Sequence, residues 1–496
     1  MRYALIALLS ISSLFSHAQQ RGEIKSYTLV QTLTADSFGI EVEQYTGFPG
    51  AVLGLQYDFA VYKVQYYTLD YYPDSLTIAT GLVTLPIGYP CASGIFTFGH
   101  GFCLKDYEVP SNPGSIYGMI VKGIASNGYV GVAPDYIHLG PDASPGFQAF
   151  MNAKTEGAAT VDLIRAAKTI CQNEGIALTD QLFLSGYSQG GHSSFATARE
   201  IQLHHAGEFT VTAVCPGGGT FDLAGVAADS LSSNTRITPE PHAFCMIVRS
   251  YSEVYQDSLF IMGLPNNPAD AFDSIFKHPY DSLLAMILDR NNPFASVNLL
   301  DSIPIRMVTD SFRIKFQTDA NFYFRTLLRY NSLYDWTPRM PVNFVHSPVD
   351  IENPMSNVQR VMQLFLDSGA TDVQLTLIGG NLSHGAAGLP YVLFAMDYMR
   401  NKRVDCLTGV NENIGGNLEW SIYPNPVMDE LHINWQKTSL DVQVTLFSAT
   451  GRIIHSQMVA GASQMFRLPV TTLPAGHYAV EVRTGNNRYY RVMVKL

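Results

Sequence analysis

Residues 181–194 read Gln181-Leu182-Phe183-Leu184-Ser185-Gly186-Tyr187-Ser188-Gln189-Gly190-Gly191-His192-Ser193-Ser194. Residues 181–185 are a short apolar run of buried-strand type, and 191–204 have the composition of a helix. Between them the chain must reverse within a few residues around Ser188. A turn that tight strains the backbone at its apex, and the positions two before and two after have no room for a side chain. Gly186 and Gly190 occupy those two positions. The pattern G-x-S-x-G is weak alone. Its setting between strand and helix is what gives it weight.

Outward from this turn the same alternation repeats. Candidate strands lie at 94–98, 129–133, 181–185, 210–215, 342–345 and 373–378, with candidate helices at 115–125, 148–171, 191–204, 355–368 and 389–400. Strand followed by helix, repeated about five times, predicts an α/β fold: a mainly parallel sheet covered by helices on both faces. More than 100 residues separate the strand ending at Cys215 from the one starting at Val342. That interval holds helix-like stretches (268–276, 282–290, 321–330) and many aromatics, which a disordered linker would lack. It reads as an inserted helical cap at about 225–336. Residues 19–65 read only as additional strands.

Around residue 404 the texture changes to a polar Gly/Asn-rich stretch, Asn411-Glu412-Asn413-Ile414-Gly415-Gly416-Asn417, typical of a linker. The expected division is a signal peptide over 1–18, the α/β unit over 19–403, a linker over 404–417 and a second unit over 418–496. In that last unit short strand-like pieces (431–435, 442–447, 478–483, 489–494) alternate with turn signals, suggesting a small β-sandwich. It carries more basic than acidic residues, whereas the rest of the chain is acidic.

A serine hydroxyl is a poor nucleophile until a base, itself oriented by a third group, removes its proton. With the serine on such a turn, acid and base are expected later in the chain, in loops after the last strands. The strand 342–345 runs into His346-Ser347-Pro348-Val349-Asp350, and 373–378 runs into Gly379-Gly380-Asn381-Leu382-Ser383-His384-Gly385. Asp350 is therefore the expected orienter and His384 the expected general base of Ser188. His192 and Glu352 are the weaker rivals. An oxyanion formed at Ser188 needs backbone donors. The Gln189 N–H, at the start of the helix, is one candidate. The second is the Phe102 N–H in the turn Gly99-His100-Gly101-Phe102, with Gly101 next. Asp135, after the strand at 129–133, reads as a cap of the following segment rather than a substrate ligand. Gly217-Gly218-Gly219 reads as a tight turn at the pocket mouth, because it lacks the Lys-Ser/Thr of a phosphate loop. No metal or dinucleotide motif is present, so no cofactor is implied.

The 496 residues carry a formal net charge of -11, with 47% hydrophobic and 15% charged residues. That composition is globular, and an acidic chain without Lys/Arg runs argues against nucleic acid and anionic membrane as partners. Residues 1–18, with Arg2, an apolar core from Tyr3 to Phe15 and Ser16-His17-Ala18, read as a secretory signal. The apolar part is too short for a transmembrane segment, and no other stretch is long enough. Export permits disulfides among the six cysteines, and six allow 15 pairings that sequence cannot rank.

From about residue 60 to 400 the chain resembles the α/β-hydrolase superfamily. The Gly186-Tyr187-Ser188-Gln189-Gly190-Gly191 elbow, the His100-Gly101 turn, a late Asp, a late His and a helical insertion look like secreted lipases and esterases. The resemblance implies hydrolysis of a small-molecule or lipid ester through an acyl-enzyme on Ser188. Cutinases share the elbow but lack a cap this large. Prolyl-oligopeptidase-type peptidases share the order of the three residues but usually carry a propeller domain. A peptidase, or a non-catalytic binding protein on the same scaffold, is the alternative. The tail, with Tyr423-Pro424-Asn425-Pro426, Thr450-Gly451-Arg452 and Leu473-Pro474-Ala475-Gly476-His477-Tyr478, resembles the C-terminal sorting domain of the type IX secretion system. That implies the secretion machinery as a partner, and a protein released outside the cell or held at its outer surface.

Overall fold

A computed structural model of the chain describes residues 19–404 and 418–495, apart from 48, 73–74, 90, 262, 266, 288–297, 449–452 and 486. The expected signal segment, nearly all of the expected linker and the Thr450-Gly451-Arg452 mark lie outside the described residues.

The chain enters through β1 (Ile24–Leu33), α1 (Ala35–Thr46), β2 (Asp58–Leu69) and β3 (Leu76–Ile87). Helix α1 stands where only strands were expected. The Thr34 hydroxyl caps it by accepting from Ser37 N–H, Gly47 closes it with φ 72°, and it buries Phe38 and Val42, one turn apart. The α/β alternation follows: β4 (Ile95–Gly99), α2 (Ile116–Ser126), β5 (Val130–Pro134), α3 (Ala153–Asn173), β6 (Leu182–Tyr187), α4 (Gln189–His204) and β7 (Val211–Gly217). Each strand of this run matches its sequence reading to within two residues. Helix α3 starts five residues later than expected. Asn152 caps it, and Met151 just before it has φ 53°, which no helix tolerates.

Between β7 and the next strand lie α5 (Ala228–Leu231), α6 (Pro241–Val254), α7 (Gln256–Ile261), α8 (Pro268–Asp273), α9 (Tyr280–Ile287), α10 (Asp310–Thr318) and α11 (Tyr323–Tyr330). These are the inserted cap. It has its own apolar core around Phe244, Tyr251, Phe276, Phe312, Phe316 and Phe324, to which Leu104, Phe150 and Met151 from the sheet side also belong. The chain then completes the sheet with β8 (Val342–His346), α12 (Met355–Asp367), β9 (Val373–Leu377) and α13 (Gly388–Arg400).

Nine strands form one sheet in the order β1-β2-β3-β5-β4-β6-β7-β8-β9. β1, β2, β3 and β5 pair antiparallel, and from β5 to β9 every pair is parallel. The chain goes from β4 outward to β5, then returns past β4 to β6. The direction of winding reverses there, so a crevice opens between the carboxyl ends of β4 and β6. One core lies on each face of the sheet, around Phe195 and Phe344 on one side and around Phe96, Phe183 and Tyr391 on the other.

The tail contributes β10 (Trp420–Tyr423), β11 (Glu430–Trp435), β12 (Val442–Ser448), β13 (Ile453–Val459), β14 (Met465–Pro469), β15 (Gly476–Thr484) and β16 (Asn487–Lys495). They form a three-stranded sheet, β10-β11-β14, and a four-stranded sheet, β13-β12-β15-β16, both antiparallel. Leu431, Ile433, Trp435, Val444, Leu446 and Val480 fill the space between them. This tail meets the rest of the chain through Arg491, whose Nη1 lies 3.4 Å from Asp397 Oδ1. Beside that pair an apolar cavity of about 260 Å³ separates Leu393 and Met396 of α13 from Tyr478, Ala479 and Val492. Cys91 is disulfide-bonded, whereas Cys103, Cys171, Cys215 and Cys245 are buried free thiols. Among the described residues no helix is long and apolar enough to cross a membrane.

Candidate active site

The turn from β6 to α4 puts Ser188 at φ 60°, ψ -119°, a strained conformation for a residue with a side chain. Two contacts hold it there. Ser188 N–H donates to Gly217 O at 2.9 Å, and Ser188 O accepts the Gly191 N–H at 2.9 Å. The glycines are needed because β4 passes directly alongside. A Cβ on Gly190 would collide with the Gly99 carbonyl, and one on Gly186 with the Gly190 carbonyl.

His384 Nε2 lies 2.8 Å from Ser188 Oγ, and His384 Nδ1 lies 2.6 Å from Asp350 Oδ2. The three residues come from the loops after β6, β8 and β9, and the structure brings them into one line. Asp350 is buried, and its Oδ1 accepts the N–H groups of Glu352 (3.0 Å) and Asn353 (2.9 Å). The His384 loop is tied at two points. Tyr187 O–H donates to His384 O at 2.7 Å, and Ser347 O–H donates to Leu382 O at 2.6 Å. Burial pushes the His384 imidazole down, but the Asp350 hydrogen bond and the charges of Asp350, Glu352 and Glu240 outweigh it and hold the imidazole above its ordinary value.

Neither rival takes the expected roles. Glu352 Oε2 is 3.8 Å from His384 Nε2, on the serine side of the ring, so it flanks the base and does not orient it. Burial, with Glu240 and Asp350 nearby, pushes Glu352 up to about 7 despite the His384 charge. Burial raises Glu240 as well. His192 is fully buried, with Nδ1 on Glu156 and Nε2 on Asn331 O.

Phe102 and Gln189 line the same cavity as Ser188. Among the described residues neither backbone N–H has a protein acceptor. The first N–H groups of a helix are free by construction, and Gln189 is the first residue of α4. The Phe102 ring packs against Phe150 and His242 at centroid distances of 4.8 and 5.3 Å. His100 is buried beneath this turn with Nδ1 2.6 Å from Gly101 O, and burial lowers its pKa to about 4. Asp135 does not cap the segment after it. Its carboxylate reaches back to accept the Ser111 N–H at 2.8 Å and the Thr80 hydroxyl at 2.5 Å. The turn at Gly217 to Gly219 supports the elbow: Gly217 O holds Ser188, and Gly218 O accepts Asn353 Nδ2 at 2.8 Å.

The cavity over Ser188 measures about 120 Å³. Phe102, Phe150, Met151, Phe244 and Ile247 make its apolar wall, while Arg236, Glu240, Glu352 and Asn353 make a polar one. Glu240 was not expected at the site, and no local spacing marks it, because it arrives there only when the cap folds over the sheet; Glu352, read only as a rival to Asp350, reaches the same wall from the loop after β8. Among the described residues no group of three or more His, Cys, Asp or Glu side chains converges as a metal site would.

Solved structures share the fold that carries this site. A putative hydrolase from Legionella pneumophila superposes with a TM-score of 0.66 at 22% identity, covering 79% of this chain and 100% of its own. The rice cell wall degrading esterase LipA of Xanthomonas oryzae gives 0.64 at 23% identity, over 78% and 100% of the two chains. The fold is that of the α/β-hydrolases. Candida antarctica lipase A in its closed state shares this hydrolase fold more distantly, with a TM-score of 0.53 at 17% identity over 79% and 85% of the chains. Within the hydrolase fold, residues 116–233, which include the elbow, match the Secretory lipase family model. That match supports a hydrolase of the lipase and esterase kind. Residues 421–495 match the Secretion system C-terminal sorting domain. The two matches together point to a secreted protein. No curated protein matches the chain.

Proposed function

We propose that the protein is a secreted serine esterase, with Ser188 as nucleophile, His384 as general base and Asp350 as orienter. The hydrogen-bonded line Ser188–His384–Asp350, at 2.8 and 2.6 Å, carries this reading. His384 Nε2 takes the Ser188 proton as Oγ attacks the ester carbonyl, and Asp350 stabilises the imidazolium that forms. The Gln189 and Phe102 N–H groups receive the oxyanion. Loss of one such donor typically costs about 3 kcal/mol in the barrier. As the tetrahedral intermediate collapses, His384 returns the proton to the leaving alcohol, and a water repeats the sequence to release the acid.

The cavity bears on substrate size. At about 120 Å³ it is no larger than the roughly 150 Å³ engineered cavity that binds benzene. A short or ring-bearing acyl group fits a space of that size. The unit over 418–496 serves export and the unit over 19–403 catalysis, with the cap inserted at about 225–336.

The test is hydrolysis of p-nitrophenyl esters from acetate to palmitate, beside Ser188→Ala and a peptide p-nitroanilide. Turnover of short esters that Ser188→Ala abolishes is the expected result. Cleavage of the anilide alone would make the protein a peptidase, and no turnover of either would make it a binding protein on a hydrolase scaffold.

A further inference from the structure

Gln189 is held by its side chain as well as by its helix. Its amide donates to Glu156 Oε1 at 2.9 Å, and the same oxygen accepts the Met151 N–H at 3.1 Å. The other oxygen, Oε2, lies 2.7 Å from His192 Nδ1. Glu156 sits on α3 and is fully buried, as is His192. His192 Nε2 faces Asn331 O, just past α11 in the cap, at 2.9 Å. A carbonyl oxygen only accepts, so Nε2 carries a proton and the ring is fixed as a bridge between Glu156 and the cap.

Gln189 and His192 are three residues apart and share one face of α4. One carboxylate therefore grips the first turn of that helix twice. It also fixes Met151, a non-glycine residue at φ 53° that lines the cavity beside Ser188. A buried carboxylate is costly, and an apolar side chain fills such a space without that cost. This one touches neither Ser188 nor His384, yet all of its partners adjoin the reacting centre.

We propose that Glu156 is a positioning residue, which locks the first turn of α4 so that the Gln189 N–H stays aimed at the ester oxygen. The proposal rests on the esterase reading. Through His192 and Asn331 the same carboxylate makes the aim of that N–H depend on the cap being seated.

Gln189→Ala removes the grip but keeps the backbone N–H. Glu156→Ala removes all three bonds, and Glu156→Gln preserves them if His192 takes its neutral tautomer. The three variants are compared with wild type by kcat and KM on p-nitrophenyl butyrate, per site titrated with a fluorophosphonate. Inhibition by a trifluoromethyl ketone, which forms the oxyanion, is set against the plain methyl ketone. Gln189→Ala and Glu156→Ala are expected to lose about tenfold or more in kcat at nearly unchanged KM. They lose affinity for the trifluoromethyl ketone by the same factor, while Glu156→Gln keeps most of the wild-type kcat. A folded Gln189→Ala with wild-type kcat per titrated site and wild-type inhibition overturns the proposal. So does a loss in Glu156→Ala confined to the number of active sites or to the melting temperature. A wild type that turns over no ester overturns the esterase reading instead.

Discussion

His384 faces three carboxylates, and only one of them reaches Nδ1. Asp350 makes that contact at 2.6 Å, whereas Glu352 stands 3.8 Å from Nε2 and Glu240 acts through its charge. All three favour the imidazolium, which is useless as a base. The acid limb of kcat/KM is therefore expected above the ordinary histidine value, with activity rising as pH climbs through the raised pKa. Glu352→Gln removes one favouring charge, lowers the His384 pKa and moves that limb to lower pH. A pH profile of the variant beside wild type checks this, and an unmoved limb would mean that Glu352 and His384 are not coupled. Asp350→Asn has a different signature: kcat falls by about 10⁴ with the backbone in place, because the imidazole loses its orienting acceptor. Ser188, Asp350 and His384 were legible from chain order, since each closes a strand. Glu156 and Glu240 were not. Gln189 and His192, which Glu156 holds, and His384, which Glu240 faces, lie more than 30 residues away in sequence, and only packing brings them together.

At the level of elements, the elbow is where β4, β6 and α4 come closest. Gly190→Ala drives a methyl group into the Gly99 carbonyl. Overpacking of this kind costs about 1–3 kcal/mol. Denaturant unfolding should show that loss, and ester turnover should vanish, because α4 must shift to make room and carries the Gln189 N–H with it. In the cap, Ile247→Ala enlarges the apolar wall of the cavity. It is expected to raise kcat/KM for hexanoate relative to acetate, measured across the p-nitrophenyl series. Among the six parallel strands, β4, β5 and β8 are buried at every position and were readable as apolar runs because both their faces are covered, whereas β9, at the sheet edge, is only partly covered. Strands β13 and β14 escaped the reading. Their burial follows no clean alternation and mostly faces solvent, so periodicity carries no signal there.

For the molecule as a whole, the tail covers part of the α/β unit. The cavity beside Tyr478 and Val492 is bounded on the other side by Leu382 and Ala386, which flank His384 in sequence. A chain ending at Val404 is expected to bind more of a hydrophobic fluorescent dye than the full chain, because Leu393 and Met396 lose their cover. Equal dye binding would show that the tail does not pack there in solution. That a separate antiparallel β-sheet region forms the tail was legible from its alternating short strands. Its contact with the α/β unit was not, since Arg491 and Asp397 are far apart in sequence and unremarkable in type.

The cap leaves and rejoins the sheet at almost the same point. Leu333 N–H donates to Phe221 O at 2.8 Å, and Asn357 Oδ1 receives both the Phe221 and the Asp222 N–H. An insertion whose ends already touch can change length at little cost, about 0.6 kcal/mol for each doubling of a flexible loop. The stretch from Leu223 to Ser332 is thus an exchangeable cassette. A replacement that keeps an acceptor for His192 Nε2 where Asn331 O now stands can admit a new class of ester, while the strands bearing Ser188, Asp350 and His384 keep their register.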